Sequence, residues 1–246
     1  MSQFRRPMFG TRLRGDVRGT RARKPLRSPV QIPTVAVGLL AYYTMSDVND
    51  SSGNARNLTN NAGVAFVAGK VGNCGRFAAA SSQFLSRTDT SFAISGDLSV
   101  SCWVKFASAA DFKRMVSRFV QGTGGYTMAT TPTNGVAWGC VGTGGTANAV
   151  SANLNNDQWY HLIGTFELTG SLASLYVDNA AAITDTIIGG GGMATPSVDF
   201  MIGAFDSTPT NFMDGDIDEV AIWNRVLTSD ERTYLYNGGN GRTWPL

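Results

Sequence analysis

Apolar and polar side chains alternate with a period of two along much of this chain, and this alternation limits its fold more than any other feature. In LSVSCWVKF, residues 98–106, every second position is apolar. A period of two places successive side chains on opposite faces of a β-strand, so such a segment is expected to bury one face. Further strands are predicted at 36–43, 113–119, 125–130, 135–141, 158–167, 172–178, 198–204 and 216–224. Strands in this number predict an all-β fold.

Glycine-rich turns separate the predicted strands. Turn signals lie at 50–53, 122–125, 142–145 and 189–192. Two of them read GTGG, but neither is followed by the Lys-Ser/Thr pair of a phosphate-binding loop, so hairpin turns are expected there. One helix is predicted near the end, where Thr228 and Glu231 form a capping box and Gly238 marks the stop. Many strands and one late helix favour a β-sandwich of the jelly-roll type.

Five ordered motifs resemble a known family of β-sandwiches. They are GLLAYYTMSDVNDSSGNARNLT, GKVGNCGRFAAASSQFL, FAISGDLSVSCWVKF, the pair DQWYHLIGTFE and SLASLYVDNA, and DGDIDEVAIWNRVLTSDERTYLYNGG. Between Gly38 and Gly239 the chain is therefore similar to the laminin-G-like branch of the concanavalin A-like lectin/glucanase superfamily. The resemblance implies a two-sheet antiparallel jelly-roll sandwich with one short C-terminal helix. It says less about function, because this fold occurs in lectins, adhesins, hydrolases and inert structural modules.

Basic residues are concentrated at the start of the chain. The first 30 positions hold nine basic residues and one acidic residue, whereas the remainder holds 11 basic and 17 acidic residues. Proline and glycine are frequent in the same segment, which predicts an extended basic N-terminal arm at 1–33 and a jelly-roll domain at 34–246. The candidate anchoring residues of the arm are Arg5, Arg6, Phe9, Arg12, Arg14, Arg18, Arg21 and Arg23.

The arm has three interpretations. Its arginines could pair with carboxylates on neighbouring structural subunits, contact nucleic acid without sequence specificity, or stay solvated in a disordered segment. A segment of this composition is expected to be ordered only in contact with a partner. Docking on other subunits is therefore favoured, which predicts a homo-oligomer or a place in a larger particle.

No segment of the sequence predicts a membrane span or a secretion signal. The longest apolar run, 34–45, is shorter than the ~18–20 residues of a transmembrane helix, and no small-x-small cleavage site follows it. The three cysteines, Cys74, Cys102 and Cys140, are an odd number at wide spacings, so neither a disulfide framework nor a zinc site is indicated. Synthesis in a reducing cytosol is the simplest expectation.

The sequence offers little for catalysis. Asp214, Asp216 and Asp218 alternate in DGDIDEV, much as acidic residues alternate along one strand in the glucan hydrolases of the family. Those enzymes need glutamates as nucleophile and acid, and Glu219 is expected to face the opposite way. His161 is the only histidine, and no G-x-S-x-G motif accompanies it, so a structural role is expected. The chain is therefore predicted to be non-enzymatic.

The resemblance also implies a structural Ca²⁺ between the first turn and the closing strand. Oxygen ligands would come from Asp47, Asp50, Asn54 and Asp218. The alternative is that Asp50 and Asn54 stabilise an Asx turn.

Aromatic residues are candidates for stacking on a sugar. The set is Trp138, Tyr126, Trp103 and Trp159. Trp138 is favoured because it sits among glycines, where a ring could reach a ligand. The alternative is that each ring belongs to the core or to a subunit interface.

Together these features predict a non-enzymatic structural protein of a large assembly, and the leading interpretation is a phage or virus particle. The jelly roll would be displayed outward as a capsid decoration or a tail or fibre component, with the basic arm anchoring it. The predicted localisation is then the virion, assembled in the host cytoplasm, and the cytoplasm or the cell surface is the alternative. The alternative function is a carbohydrate-binding module or adhesin subunit that recognises a cell-surface glycan of a host.

Overall fold

The computed structural model describes residues 34–107, 112–205 and 208–246. These residues form fifteen β-strands and one α-helix. In chain order they are β1 (Leu39–Tyr43), β2 (Thr59–Asn61), β3 (Ala65–Ala68), β4 (Asn73–Phe77), β5 (Phe84–Arg87), β6 (Leu98–Phe106), β7 (Arg114–Val120), β8 (Gly124–Thr130), β9 (Val136–Gly142), β10 (Gly145–Val150), β11 (Trp159–Glu167), β12 (Leu172–Val177), β13 (Ile183–Thr186), β14 (Phe200–Ile202), β15 (Gly215–Trp223) and α1 (Ser229–Tyr236). The predicted arm, 1–33, and its anchoring residues lie outside the described residues.

The strands form two antiparallel sheets. The eight-stranded sheet has the order β13-β12-β11-β6-β15-β4-β3, and β1 also pairs with β15. The seven-stranded sheet has the order β10-β9-β8-β7-β14-β5-β2. This arrangement confirms the predicted all-β, two-sheet jelly-roll sandwich with one short helix near the end of the chain.

The predicted strands all have counterparts, whereas six shorter strands, β2 to β5, β10 and β13, do not appear among the predictions. Most of these segments lack an alternating apolar pattern. In β2, Thr-Asn-Asn, two of the three residues are exposed and none is apolar. Such a strand forms because a neighbour supplies hydrogen bonds, and period-two analysis cannot detect it.

Local signals at turns and at the helix are confirmed. Gly142 pairs with Gly145 at the end of the β9–β10 hairpin, so the second GTGG is a hairpin turn. At the start of α1, the Thr228 side chain accepts from the backbone N–H of Glu231, and the Thr228 N–H donates to the Glu231 carboxylate at 2.8 Å. The helix ends one residue earlier than predicted, because Asn237 adopts the left-handed conformation at φ 50°.

Apolar residues lie in two places. The main core fills the space between the sheets, and the second cluster lies on the outer face of the eight-stranded sheet under α1 and the C-terminal residues. This second cluster contains Leu39, Tyr42, Ile163, Ala221, Trp223, Leu227 and Leu235. The helix therefore covers part of one outer face of the sandwich. In the part of the chain that the structure describes, no helix is both long enough and apolar enough to cross a membrane.

Candidate functional site

Two of the four aromatic residues predicted to bind sugar lie in the main core. The Trp138 side chain is fully buried, and its Nε1–H donates to the carbonyl of Thr165 at 2.9 Å. Tyr126 is also buried, 5.9 Å from Trp138 between ring centroids, and its hydroxyl donates to the carbonyl of Phe92. Both rings point between the sheets, so the prediction that they form sugar platforms must be corrected.

Trp103 is likewise unavailable as a platform, although it lies on the outer face of the eight-stranded sheet. Its ring stacks on His161 at 4.9 Å and on Tyr236 at 5.9 Å, and the Lys70 ammonium lies 4.6 Å from its centroid. Only 2% of the residue is exposed. Trp159 is half-buried, with Lys105 Nζ 5.3 Å from its ring, and stays a prediction.

A cavity on the outer face of the seven-stranded sheet is the best candidate site. It measures about 210 Å³ and is built mainly on β7 to β10, and we call it the sheet groove. Its lining includes Arg114, Phe119, Thr127, Ala137, Gly139 and Asn148. These residues share one face because cross-strand partners in register point the same way.

The floor of the sheet groove is made of small side chains. Asn148 pairs with Gly139, and Gly139 pairs with Thr127 on the next strand. A Cβ on Gly139 would lie 3.0 Å from Asn148 Oδ1, so the absence of a side chain lets the carboxamide lie over the floor. Ala129 and Ala137 form the adjacent cross-strand pair. A low floor between larger side chains creates the depression.

Aromatic rings form one wall of the groove. Phe112 lines the cavity and is 49% exposed. Phe119 also lines it and contacts Phe205, which follows β14, at 5.7 Å between centroids. The opposite part of the lining is polar and exposed, with Thr146 and Asn148 on the edge strand β10. An apolar wall facing hydroxyl and amide groups is the usual composition of a ligand site.

Arg114 is the charged group of the groove. Its guanidinium carbon lies 4.5 Å from the ring centroid of Phe205 and 5.8 Å from that of Phe119. Nη1 donates to Thr127 Oγ1 at 3.3 Å, and Nε has no hydrogen-bond partner among the described residues. Burial lowers the pKa of Arg114 to about 10. The side chain therefore stays cationic at neutral pH in a partly dry site.

Two other cavities are larger, but their acidic groups are engaged by neighbouring side chains. In the cavity of about 360 Å³ that contains Asp89, this carboxylate accepts from Arg87 at 2.9 Å. In the cavity of about 330 Å³, Asp216 lies 2.8 Å from both Arg76 Nε and Lys105 Nζ. Hydrogen bonds from these cations outweigh the effect of burial and lower the pKa of Asp216. Neither cavity combines an aromatic wall with an unpaired cation in this way.

The acidic residues of β15 do not converge on a common point. Asp218 accepts the backbone N–H groups of Lys70 and Val71, and burial raises its pKa to about 7. Glu219 accepts from the Tyr42 hydroxyl, and burial raises its pKa to about 8. The prediction that Glu219 faces away from Asp218 is wrong. A bulge between Asp218 and Ala221, with φ 49° at Glu219, turns both carboxyls to the outer side of the sheet.

The predicted calcium ligands serve other purposes. Asp50 accepts the backbone N–H groups of Tyr42, Ser52 and Arg56 at 2.9–3.0 Å. Asn54 donates to two carbonyls of β1. These contacts match the alternative of a local turn.

The remaining two predicted ligands lie in separate environments. Asp47 accepts from the backbone and side chain of Asn49, while Asp218 is held by backbone N–H groups of the β3–β4 turn. Among the described residues, no three His, Cys, Asp or Glu side chains form a group that could hold a metal ion. The four residues therefore do not fit the predicted calcium site.

His161 and the three cysteines lie inside the protein. His161 Nε2 is 2.9 Å from Ser101 Oγ, and burial lowers the pKa of the imidazole to about 3. Cys74, Cys102 and Cys140 are buried free thiols whose pKa values are raised by burial. The histidine is therefore neutral at physiological pH.

Comparison with known proteins connects this architecture to binding domains. The model of a family described as the concanavalin A-like lectin/glucanases superfamily matches residues 79–231. The binding domain of Paraclostridial Mosquitocidal Protein 1 is 16% identical, with a TM-score of 0.63 over 82% of this chain and 53% of that chain. The botulinum neurotoxin serotype D binding domain is 12% identical, with a TM-score of 0.66 over 84% of this chain and 53% of that chain.

A third similar structure comes from an extracellular enzyme. Domain 4 of AbnA, a GH43 arabinanase from Geobacillus stearothermophilus solved in complex with arabinotriose, is 19% identical, with a TM-score of 0.59 over 83% of this chain and 98% of that domain. The chain thus spans about half the length of the two toxin domains and nearly all of the arabinanase domain. No curated protein matches the sequence. At these identities the likeness establishes the fold.

Proposed function

Because the chain belongs to the concanavalin A-like lectin/glucanases superfamily, we propose that it is a non-catalytic glycan-binding module whose ligand lies in the sheet groove. One observation carries the proposal. The groove combines a floor of small side chains, an aromatic wall and an exposed rim of hydroxyl and amide groups. A sugar has apolar C–H faces that pack on aromatic rings and hydroxyls that bond to amides, so the composition is complementary.

The dimensions of the groove favour part of a chain over an enclosed small molecule. Its volume of about 210 Å³ is below the roughly 300–1,000 Å³ of pockets that enclose a drug-sized ligand. A glycan that lies along the sheet with one unit seated in the depression suits this size. The arabinotriose complex of the similar arabinanase domain supports a glycan as the class of ligand.

A non-catalytic role is supported by the state of the acidic residues on β15. Asp216 is occupied by two cations, and Asp218 and Glu219 are buried carboxyls held by backbone N–H groups and by Tyr42. None of these three lines the sheet groove. The similar structures described above are binding domains, which agrees with this assignment.

Filling the groove is expected to abolish glycan binding. Ala137 lies on the floor in a strand of ordinary geometry, so Ala137→Trp would occupy the depression without disturbing the core. We expect at least a tenfold rise in Kd, about 1.4 kcal/mol or more, by calorimetry with whichever oligosaccharide the wild type captures from a glycan array. The matched control is Ile188→Trp, at an 80% exposed position outside the groove lining. Equal binding by the two variants would exclude this groove as the site.

We also propose that the basic arm, 1–33, anchors the module in a larger assembly such as a virus particle. The proposal rests on the charge difference between the arm and the acidic remainder of the chain. Deleting residues 1–33 should prevent incorporation into the assembly, measured by co-sedimentation with native particles, and should leave glycan affinity unchanged. Incorporation without the arm would contradict the anchoring role and leave glycan binding unaffected as a proposal.

A further inference from the structure

We infer that the glycan seated in the sheet groove carries a carboxylate, as uronic and sialic acids do, and that Arg114 recognises it. This inference rests on the proposed function and specifies the class of its ligand. It starts from the charge of the groove, since Arg114 lines the cavity as its only cationic group among the described residues.

Other arginines of the described domain show what Arg114 lacks. Arg76 pairs with Asp216, Arg87 with Asp89, and Arg225 with Glu231. Arg114 forms no ion pair among the described residues, although burial already removes water from its side chain. A partly buried cation without a counter-ion is destabilising. A site that retains one is suited to an anion that arrives with the ligand.

The surroundings of Arg114 also indicate how an anion would approach. The guanidinium lies against the ring of Phe205, with Phe119 farther away, and one Nη1 hydrogen bond goes to Thr127. Rings beside a guanidinium cover its flat face and leave its edge for hydrogen bonding. Two parallel N–H donors on that edge match the two oxygens of a carboxylate.

The position of Arg114 beside the aromatic wall links charge recognition to sugar stacking. In a hexuronic or sialic acid, the carboxylate is attached directly to the pyranose ring. A ring packed on Phe119 could therefore present its carboxylate to Arg114 with few rotatable bonds between them. Thr127, Thr146 and Asn148 remain to contact the hydroxyls of the same unit. The groove thus contains a complementary partner for each part of an acidic sugar.

The experiment compares acidic oligosaccharides with their neutral counterparts. The probes are oligogalacturonides against their methyl esters, sialylated glycans against their desialylated forms, sulfated glycans against their desulfated forms, and a panel of neutral glycans. We expect the wild-type full chain to bind a carboxylate-bearing member at least about tenfold more tightly than its ester or desialylated form. Whether the galacturonide or the sialoside binds identifies the source of the carboxylate.

Two variants test the role of Arg114 directly. Arg114→Gln should reduce the preference for acid over its neutral counterpart to near onefold, and Arg114→Lys should retain part of it because charge remains without the planar fork. The melting temperature of Arg114→Gln should not fall, because no ion pair of the described residues is lost. A folded Arg114→Gln protein that keeps the full preference would overturn the inference.

The outcomes separate this inference from the proposed function. Binding of neutral and acidic members with equal affinity would overturn the carboxylate and leave the glycan-binding function standing. Binding restricted to sulfated members would also overturn it, because the anion would be different. The absence of binding to every probe would count against both proposals.

Discussion

Gly164→Ala is expected to destabilise the protein more than any other single methyl addition proposed here. A Cβ at Gly164 would lie 2.2 Å from Cδ2 and 2.4 Å from Cε3 of Trp138, far inside van der Waals contact. The indole cannot easily move, because its N–H is bonded to the carbonyl of Thr165 and its ring is fully buried. We expect a loss of about 3 kcal/mol or more in the free energy of unfolding, measured by urea denaturation.

The cause can be tested with a double-mutant cycle. Trp138→Phe removes the part of the indole that the new methyl would meet, so Gly164→Ala should cost clearly less in that background. Gly96→Ala is the matched control, because a Cβ on Gly96 would meet no described heavy atom within 4 Å and its φ is ordinary. A cost for Gly164→Ala that is the same with Trp and with Phe at position 138 would show that the clash is not responsible.

Trp138 also illustrates what sequence patterns can and cannot tell. The period of two correctly assigns Trp138 and Gly139 to opposite faces of β9, but it does not say which face lies toward the second sheet. Glycines beside a tryptophan suggest an open platform. In the structure the opposing strand has Gly164 beneath the indole, so this glycine makes room for a buried ring. Which sheet face is covered depends on tertiary packing, and no local pattern contains that information.

Sequence patterns miss the residues of the sheet groove for a related reason. A bulge between Arg114 and Val116 shifts the register of β7, so Arg114 and Ser117 share the outer face although they are three positions apart. Strict alternation assigns them to opposite faces. Phe205 follows a three-residue strand and reaches Arg114 only through the fold. The strands are therefore predictable from local periodicity, whereas the site depends on bulges and on loop contacts between distant segments.

A bulge also produces the second large effect, a decline of stability with rising pH. Burial raises the pKa of Asp218 from 3.8 to about 7 and the pKa of Glu219 from 4.5 to about 8. In the folded protein these carboxyls hold their protons up to near neutrality, whereas in the unfolded chain they release them near pH 4. Between those limits the folded state binds more protons, so the free energy of unfolding falls as pH rises.

His161 acts in the opposite direction over part of this range. Because burial lowers its pKa from 6.5 to about 3, the unfolded chain binds the extra proton between those values, and stability rises with pH there. Above pH 6.5 this contribution is complete, and the two carboxyls alone set the slope among these three groups. From pH 6.5 to 9 we expect a loss of about 3 kcal/mol, or roughly 6–12 °C in Tm.

Substitutions identify the carboxyls responsible for this slope. Asp218→Asn and Glu219→Gln keep acceptors for the Lys70 and Val71 N–H groups and for the Tyr42 hydroxyl, so each should flatten part of the decline. Asp216→Asn is the control, since hydrogen bonds from Arg76 and Lys105 outweigh burial and lower the pKa of Asp216. That variant should be less stable throughout the range and keep the slope. Stability that is constant or increasing from pH 6.5 to 9 in the wild type would mean that Asp218 and Glu219 ionise in the folded state near their ordinary pKa values, despite their burial beneath the closing bulge.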